Sequence, residues 1–493
     1  MYHPKVIAAS VAQMERTMGL DLRPYTFAEV EEFAARLREV SWEKGLDATL
    51  ETQPEDVQRY VLNELALSQC DWRYWSERYC KVVDDRGHTV PVRLWPSQER
   101  IFNMVAQQEY EHWGQTEKGK EMVAKIAIII AKARQLGLTV IGEDLVAHLV
   151  LLFKNTRSII ASDDIRTNSP KLYRVFSTIY DNLPGWMQPP SESRVKATNM
   201  HFGHINSDLV VGGGNQKNTL GQGMTIDAVH LTEMSTWRDD VARAIEEDLK
   251  PAFRSSKKHH SIFIMESTGK GGKGNYFFDQ WDAACRGLGM FKPIFIGWHS
   301  CPEKYILKSD IEIRPDIQAL ARRIEDEQGT KLSRDQLAWY QTERMAAEAT
   351  GDLQIFLQEY PSSADEAFQF GVRSVFPIEV RNRVRNSCRT PLAVFDVDWN
   401  AKKLVRIDTL SWIQSPDPDK AANRLILWEQ ARAGYTYVVG VDVSYGHEGQ
   451  DNSAIQVVRV GNRWEKDEQV AEWNGNVDPA QLDTVAWMLG HMY

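Results

Sequence analysis

Residues 125–139, K-I-A-I-I-I-A-K-A-R-Q-L-G-L-T, constrain the fold more than any other stretch. Ile126 to Ile130 are five apolar residues, four of them β-branched, which predicts a buried strand. A short loop with one glycine, Gly137, follows, and residues 139–153 then repeat apolar positions at helical spacing. Strand, glycine-containing loop and helix in succession place backbone N–H groups and a positive helix end around phosphates. The usual phosphate loop reads G-x-x-x-x-G-K-[ST]. Here Lys132 stands at the first glycine position and Leu138 at the lysine position, so the bare pattern fails. Thr139 nevertheless stands where a Mg²⁺-ligating hydroxyl belongs, and Lys132 or Arg134 can reach the phosphates from the front of the loop. The plainer reading is an ordinary strand–loop–helix turn with a stray Lys and Arg.

A chain of 493 residues exceeds one core, so two or three domains are expected. Hydrophobic content of 43% and charged content of 26% are globular values. No segment has the length and apolarity to span a bilayer, and the N-terminus lacks a signal-peptide apolar region. Five cysteines without a C-x-x-C pair fit a reducing compartment, the cytoplasm, and neither a disulfide framework nor a zinc site. The net charge of −10 argues against a bulk electrostatic coat of nucleic acid, but a local basic track is compatible with it.

Residues 1–90 read as mainly helical. Thr26-Phe27-Ala28-Glu29 and Thr52-Gln53-Pro54-Glu55 have the form of capping boxes. The aromatic piece from Asp71 through Trp72, Tyr74 and Trp75 to Tyr79 reads better as a half-buried helix face than as a base-stacking surface. Residues 81–94 alternate around Asp85-Arg86-Gly87, a hairpin signal. Gln98 follows; an amide upstream of a phosphate loop can read an adenine edge, or it can simply start a helix.

Beyond the loop helix, strands are expected at 157–161, 226–231, 261–265 and within 291–298, with a strand pair over 199–211 and a helix over 171–183 that Pro184-Gly185 stops. Strands alternating with helices predict a mostly parallel sheet covered on both faces, with ligands at the carboxyl ends of its strands. The strand ending in Leu231 runs into Thr232-Glu233. A carboxylate there can position and polarise an attacking water, or merely begin a helix at Ser235-Thr236-Trp237. Thr232 occupies a position where an Asp commonly holds the Mg²⁺ water shell. Another strand ends in Met265-Glu266-Ser267-Thr268-Gly269, whose small polar groups can sense a γ-phosphate. The Gly- and Lys-rich loop 269–274 suits a phosphate-backbone contact or is a solvated loop.

Residues 305–360 are helical and charged, with a capping box at Ser333-Arg334-Asp335-Gln336. Pro361-Ser362-Ser363 reads as a linker, and Arg373, Arg381, Arg383, Arg385 and Arg389 form a basic run that suits a DNA track or a solvated helix. From about 390 short strands dominate, at 392–397, 404–407, 425–428 and 435–444. The last is expected to be a buried strand carrying Asp442, with Asp451 opposite it across a hairpin. An acid inside a central strand is costly unless it binds something, and the pair suits Mg²⁺ or Mn²⁺ and two-metal phosphodiester hydrolysis. A strand-terminal Asp capping a turn is the plainer reading.

Together these stretches resemble the large terminase subunit of tailed bacteriophages and prophages. K-A-R-Q-L-G-L-T is similar to that family's deviant phosphate loop. V-H-L-T-E-M-S-T-W is similar to its second ATPase motif, M-E-S-T-G to its coupling motif, Q-E-Y-P with E-A-F to the stretch before its nuclease, and G-V-D-V-S-Y-G with D-N-S-A-I to the first strands of its RNase H-like nuclease. The resemblance implies a P-loop (ASCE-type) α/β ATPase domain over residues 91–360, with a helical lid or linker subdomain near 305–360. A helical region over 1–90 precedes it, a linker over 361–390 follows, and a partial RNase H-like nuclease domain spans 391–493. It implies a packaging motor that uses ATP and Mg²⁺ to move double-stranded DNA into a procapsid and a Mg²⁺- or Mn²⁺-dependent endonuclease that cuts concatemers. Portal protein, small terminase subunit and a homo-oligomeric ring on the portal are the implied partners, in the host cytoplasm and transiently at the portal vertex.

Carried over, Lys132 and Arg134 contact phosphates, with Gln135 and Gly137 in the same loop. Thr139 ligates Mg²⁺, Gln98 contacts adenine, Glu233 activates water, and Ser267 with Thr268 couples hydrolysis to movement. Asp442 and Asp451 hold the nuclease metals. The family pattern needs further acids on a later strand, and Asp478-Pro479 opens a helix that reaches Tyr493, so the nuclease site is expected to be incomplete in this chain. Another helicase-like or remodelling ATPase with a partner-binding C-terminal domain, or a non-catalytic assembly protein, are the alternatives; Leu138 and Thr232 favour the latter.

Overall fold

The computed structural model describes residues 2–84, 86–115, 124–191, 193–195, 199–214, 225–253, 259–369, 389–407, 423–444 and 452–493. The chain divides into two compact units, Met1–Ser374 and Val375–Tyr493.

The first unit begins with five helices, α1 (Pro4–Met18), α2 (Phe27–Ala34), α3 (Leu46–Leu50), α4 (Glu55–Cys70) and α5 (Trp72–Tyr79). The Thr26 capping box forms at α2. The one expected at Thr52 does not: α4 starts after Pro54 with no side-chain cap, and the Thr52 hydroxyl donates instead to the Thr49 carbonyl at 2.7 Å. Pro54 already fixes the backbone entry to α4, so a side-chain cap adds little there. Asp71 caps α5, and Trp72 and Trp75 are fully buried, in keeping with a packed helix face. The hairpin β1 (Lys81–Val83) and β2 (Thr89–Pro91) and the long helix α6 (Pro96–Gln115) lead to the central sheet.

That sheet holds β3 (Lys125–Lys132), β4 (Arg157–Ser162), β5 (Ser193–Val195), β6 (Asn199–Phe202), β7 (Ser207–Gly213), β8 (Ala228–Thr232), β9 (Ser261–Ser267) and β10 (Lys292–Ile296). Its spatial order is β10-β3-β9-β8-β4-β7-β6-β5. The six strands from β10 to β7 are parallel; β6 and β5 continue it antiparallel. Parallel neighbours need crossovers, and these are α7 (Leu138–Leu152), α8 (Ser169–Asp181), α9 (Asp239–Ala252) and α10 (Tyr276–Cys285). Both faces are covered, as expected. Period-two alternation along β3 sends Ile126, Ile128 and Ile130 into one hydrophobic cluster and Ala127, Ile129 and Ala131 into another. The first cluster also takes Val57, Tyr60, Trp72 and Trp75, so the N-terminal helices pack on the same core as the sheet. The chain leaves β3 toward β4 on one side and returns at the end to place β10 on the other. In open sheets of this kind such a switch in strand order marks the place where ligands bind.

Among the described residues four further helices follow: α11 (Pro315–Gln328), α12 (Arg334–Thr350), α13 (Leu353–Glu359) and α14 (Ala364–Ala367). The capping box at Ser333 forms as the spacing predicts.

The second unit is a six-stranded antiparallel sheet of β11 (Ala393–Asp398), β12 (Lys403–Ile407), β13 (Arg424–Leu427), β14 (Tyr437–Asp442), β15 (Ser453–Arg459) and β16 (Glu468–Gly475), ordered β12-β11-β13-β16-β15-β14. Among the described residues of this unit one helix, α15 (Pro479–Met492), buries Leu482, Val485 and Leu489 against Ile455, Val457 and Trp473. Asp478 caps it by accepting from the Ala480 and Gln481 N–H groups. One expectation is corrected. The strand carrying Asp442 is not buried: among the described residues β14 lies at the sheet edge, Asp442 is exposed, and Val438 and Val441 are 55% and 44% exposed. A β-branched apolar run reads alike at an edge and at a centre, because periodicity does not report how many strands flank it. Asp451 lies outside the described residues, as do Arg373, Arg381, Arg383 and Arg385. Arg389 pairs with Glu468 at 2.8 Å.

No helix among the described residues is long and apolar enough to cross a membrane.

Candidate active site

The loop from Ala133 to Gly137 is held from several sides by its own backbone. The Ala133 N–H donates to the Ile296 carbonyl at the end of β10 (2.8 Å), and the Arg134 N–H donates to the Glu359 carbonyl (3.0 Å). The Tyr305 hydroxyl donates to the Arg134 carbonyl, the Ser97 hydroxyl to the Leu136 carbonyl (3.0 Å) and the Gln98 amide to the Gly137 carbonyl (2.7 Å). Gly137 takes φ +70°, a conformation that needs no Cβ, and opens α7 without a side-chain cap. The first-turn donors of α7 are thereby left for a ligand. Gln135 is exposed with φ +53°.

Three strand ends converge beside this loop. Lys132 closes β3 and is 6% exposed; its Nζ donates to Glu233 Oε1 at 3.3 Å and lies 3.7 Å from Glu266 Oε2. Burial alone pushes this ammonium down, but Glu266 and Glu233 outweigh it and hold Lys132 above the ordinary lysine value. Glu233 follows β8 in the left-handed region at φ +54° and is about a third exposed. A non-glycine residue held in that region is a strained feature that clusters at functional sites. The turn after it, Met234–Thr236, is a single 3₁₀ turn, and the next helix starts only at Asp239; the expected helix start at Ser235 is corrected accordingly. Ser267, at the end of β9, grips that turn: its Oγ accepts from the Ser235 N–H at 3.0 Å and meets Ser235 Oγ at 2.6 Å. Ser235 Oγ also donates to the Thr268 carbonyl at 2.7 Å. These bonds tie the end of β9 to the segment that carries Glu233.

Sequence reasoning passed over the most connected group of the site. Glu266 sits on β9, in register with Ile130 on one side and Thr232 on the other. It is fully buried, and its Oε1 accepts from Thr139 Oγ1 (2.9 Å) and Thr232 Oγ1 (2.7 Å). Behind it stands His230, whose Nε2 is 3.4 Å from Glu266 Oε1 and whose Nδ1 is 2.8 Å from Glu143 Oε1 on α7. The imidazole lies so close to Gly142 that a Cβ there would come within 2.5 Å of it, so only glycine admits the ring. Burial favours neutral histidine, yet the two carboxylates raise His230 to about 9. Burial likewise favours neutral Glu266, but Lys132 and His230 hold it at about 2. The available signal was the charge itself: Glu266 directly follows the apolar run Ile262–Met265, and a buried charge demands partners.

The remaining sequence candidates are placed as follows. Arg134 is half exposed and its Nε pairs with Glu359 Oε2 at 3.0 Å, away from Lys132's partners. Gln98 spends both ends of its amide on backbone, accepting from the Trp95 N–H (2.8 Å) and donating to Gly137. Thr139, Ser267 and Thr268 line the same strand-end region. Gln358 donates to the Gly269 carbonyl at 2.9 Å, so the Q-E-Y-P stretch touches both the phosphate-type loop, through Glu359, and the loop after β9. Asp442 belongs to the second unit. Among the described residues no group of three or more His, Cys, Asp or Glu side chains is arranged to hold a metal ion.

No protein-family model matches the chain, and no curated protein matches it. Solved structures do. The HK97 bacteriophage large terminase is 15% identical, over 81% of this chain and 66% of its own, with a TM-score of 0.37. The Thermus phage P74-26 large terminase ATPase domain is 15% identical, over 55% of this chain and 99% of its own, with a TM-score of 0.31. A large terminase from a thermophilic bacteriophage is 10% identical, over 75% of this chain and 70% of its own, with a TM-score of 0.30, and it has also been solved in complex with ADP. The chain thus spans about two thirds of the HK97 protein, and these solved structures, to which it is similar, are all phage large terminases.

Proposed function

We propose that the first unit is a nucleotide-hydrolysing motor domain that drives double-stranded DNA into a viral procapsid. The observation that carries the hydrolytic part is the convergence of Lys132 at the end of β3, Glu233 just beyond β8 and Thr139 in the first turn of α7 around the buried Glu266 of the intervening strand β9, beside a backbone-braced loop and an uncapped helix start. Phosphoryl transfer asks a protein chiefly for positioning and charge. The first-turn amides of α7 cradle phosphate oxygens, and Lys132 neutralises them. In the ligand-free arrangement Lys132 is occupied by Glu233. Phosphates draw the ammonium forward, and Glu233 is then released to orient and deprotonate a water. Arg134, tied to Glu359, serves as an outer phosphate contact. A Cβ-free Gly137 and the exposed Gln135 leave the loop open to ligand, and Gln98 reaches an adenine edge by giving up one of its two backbone bonds. Ser267 and Thr268 pass the loss of the γ-phosphate to the turn after Glu233.

Magnesium fits the residues present: the Thr139 hydroxyl would hold it directly, and it would neutralise charge on the transferred phosphoryl group. DNA as substrate and the portal, small-subunit and ring partners rest on the motif resemblance. So does an endonuclease role for the second unit, with Asp442 and Asp451 as its Mg²⁺ or Mn²⁺ ligands.

The test is ATP turnover in Mg²⁺, with and without double-stranded DNA, for the native chain and Glu233→Ala. Turnover stimulated by DNA and lowered at least about a hundredfold in the variant is expected. No turnover and no nucleotide binding in the native chain would overturn the reading.

A further inference from the structure

Resting on that nucleotide-site reading, we infer that Glu266 supplies the carboxylate that holds the water shell of the nucleotide's divalent cation, replacing the acid that is missing at position 232. The end of β8 offers a threonine where a metal-side carboxylate is needed. The strand beside it, β9, offers a glutamate in direct register, Thr232 opposite Glu266. Because β9 lies between β8 and β3, a side chain at its end reaches the loop from the same side as one on β8 and from the strand next to β3. The contact made is the one a metal-side acid makes: Glu266 Oε1 accepts the hydroxyl of Thr139, the candidate metal ligand, at 2.9 Å.

A simpler role as counter-charge to Lys132 and His230 does not account for the whole group. Oε1 receives both threonine hydroxyls and faces His230. Oε2 makes no hydrogen bond among the described residues, although it is fully buried, and its neighbour is Lys132 Nζ at 3.7 Å, beyond hydrogen-bond range. A buried carboxylate oxygen with unused lone pairs calls for a further donor, and cation-bound water is one. The group is also held in place for such a task. His230 braces it from behind and is itself fixed by Glu143 and by the space that Gly142 leaves. Thr232 then acts as a positioning residue, keeping Oε1 turned toward Thr139.

The experiment is calorimetric titration of the full chain with AMP-PNP, in Mn²⁺ and in EDTA. Native protein is expected to bind more tightly with the metal. Glu266→Gln should lose about tenfold or more of that metal advantage while binding in EDTA is unchanged or tighter, since a negative charge beside the phosphates is gone. Glu266→Asp keeps the charge and hence the fold, withdraws the carboxylate from Thr139, and should lose part of the advantage. The double variant Thr232→Asp, Glu266→Gln should regain it by returning an acid to β8. Mere counter-charge predicts equal changes in Mn²⁺ and EDTA. A full metal advantage in both Glu266→Gln and Glu266→Asp would overturn the inference while leaving the nucleotide site standing. Absence of AMP-PNP binding by the native chain under either condition would overturn the site reading itself.

Discussion

Two acidic strand ends, read from similar sequence, have opposite surroundings. Glu266 ends a strand with neighbours on both sides in a parallel sheet covered on both faces. Two hydroxyls, an ammonium and an imidazolium surround it. Asp442 ends an edge strand of an antiparallel sheet and is exposed. An acid after a β-branched run is thus a weak indicator on its own. What distinguishes the two is the number of flanking strands, which a single sequence does not state. Where burial is complete, the charge cannot exist without its partners; where it is absent, water suffices.

The largest effect expected from this contrast lies in the cations near the loop. Lys132→Met leaves Glu266 and Glu233 without their shared ammonium in a buried site. A loss of roughly 3–5 kcal/mol in unfolding free energy is expected, with nucleotide binding reduced beyond detection in the same titration. Arg134→Met removes a half-exposed partner of Glu359 and should cost under about 1 kcal/mol. Chemical denaturation of both variants checks this. Equal costs would show that Lys132 is no more committed to the buried site than Arg134, and the distinction between them would collapse.

That pair also marks how far the sequence could be read. The strand–loop–helix at 125–139, the parallel sheet and the capping boxes at Thr26 and Ser333 were legible, because each depends on local spacing and on burial of apolar runs. Lys132, Thr139 and Glu233 were legible singly, as candidates at strand or loop ends. The choice between Lys132 and Arg134 was not, because they stand two residues apart where strand passes into loop and only the tertiary pairing of Arg134 with Glu359 sets them apart. Glu266, His230 and Glu143 were missed for a related reason. They come from β9, β8 and α7, and no spacing along the chain announces that they meet.

A middle-sized effect follows from His230. Its ordinary value is 6.5 and its folded value is about 9. The folded state therefore keeps a proton that the unfolded state has released, and stability falls as pH rises between those values. The contribution is fully present below pH 6.5 and lost through pH 9, about 3 kcal/mol in all. Asp144, buried on α7 against the Ser76 hydroxyl, is pushed by burial from 3.8 to about 7, so its loss comes earlier on the same rising axis. Thermal midpoints of the first unit measured from about pH 4 to 10 should decline in two stages. His230→Gln should flatten the upper stage and Asp144→Asn the lower. A midpoint that rises between about pH 7 and 9 would mean that the two carboxylates do not hold the imidazolium.

The smallest effect belongs to Asp442, and a near-zero result is informative there. Among the described residues this exposed acid at a sheet edge has no desolvated partner to lose, so Asp442→Asn should move the thermal midpoint of the native chain by no more than about 2 °C. Removing one of several mutually repelling carboxylates from a preformed metal site would instead raise the midpoint in EDTA, because the repulsion is relieved. The comparison is sharpest when the same variant is melted in EDTA and in excess Mn²⁺. A midpoint insensitive to both the substitution and the metal places Asp442 among ordinary surface acids. A rise in EDTA together with a loss of Mn²⁺-dependent stabilisation would give the second unit a charged cluster of its own, built with residues beyond the described edge, and Asp442 would then stand with Glu266 as an acid whose partners the sequence conceals.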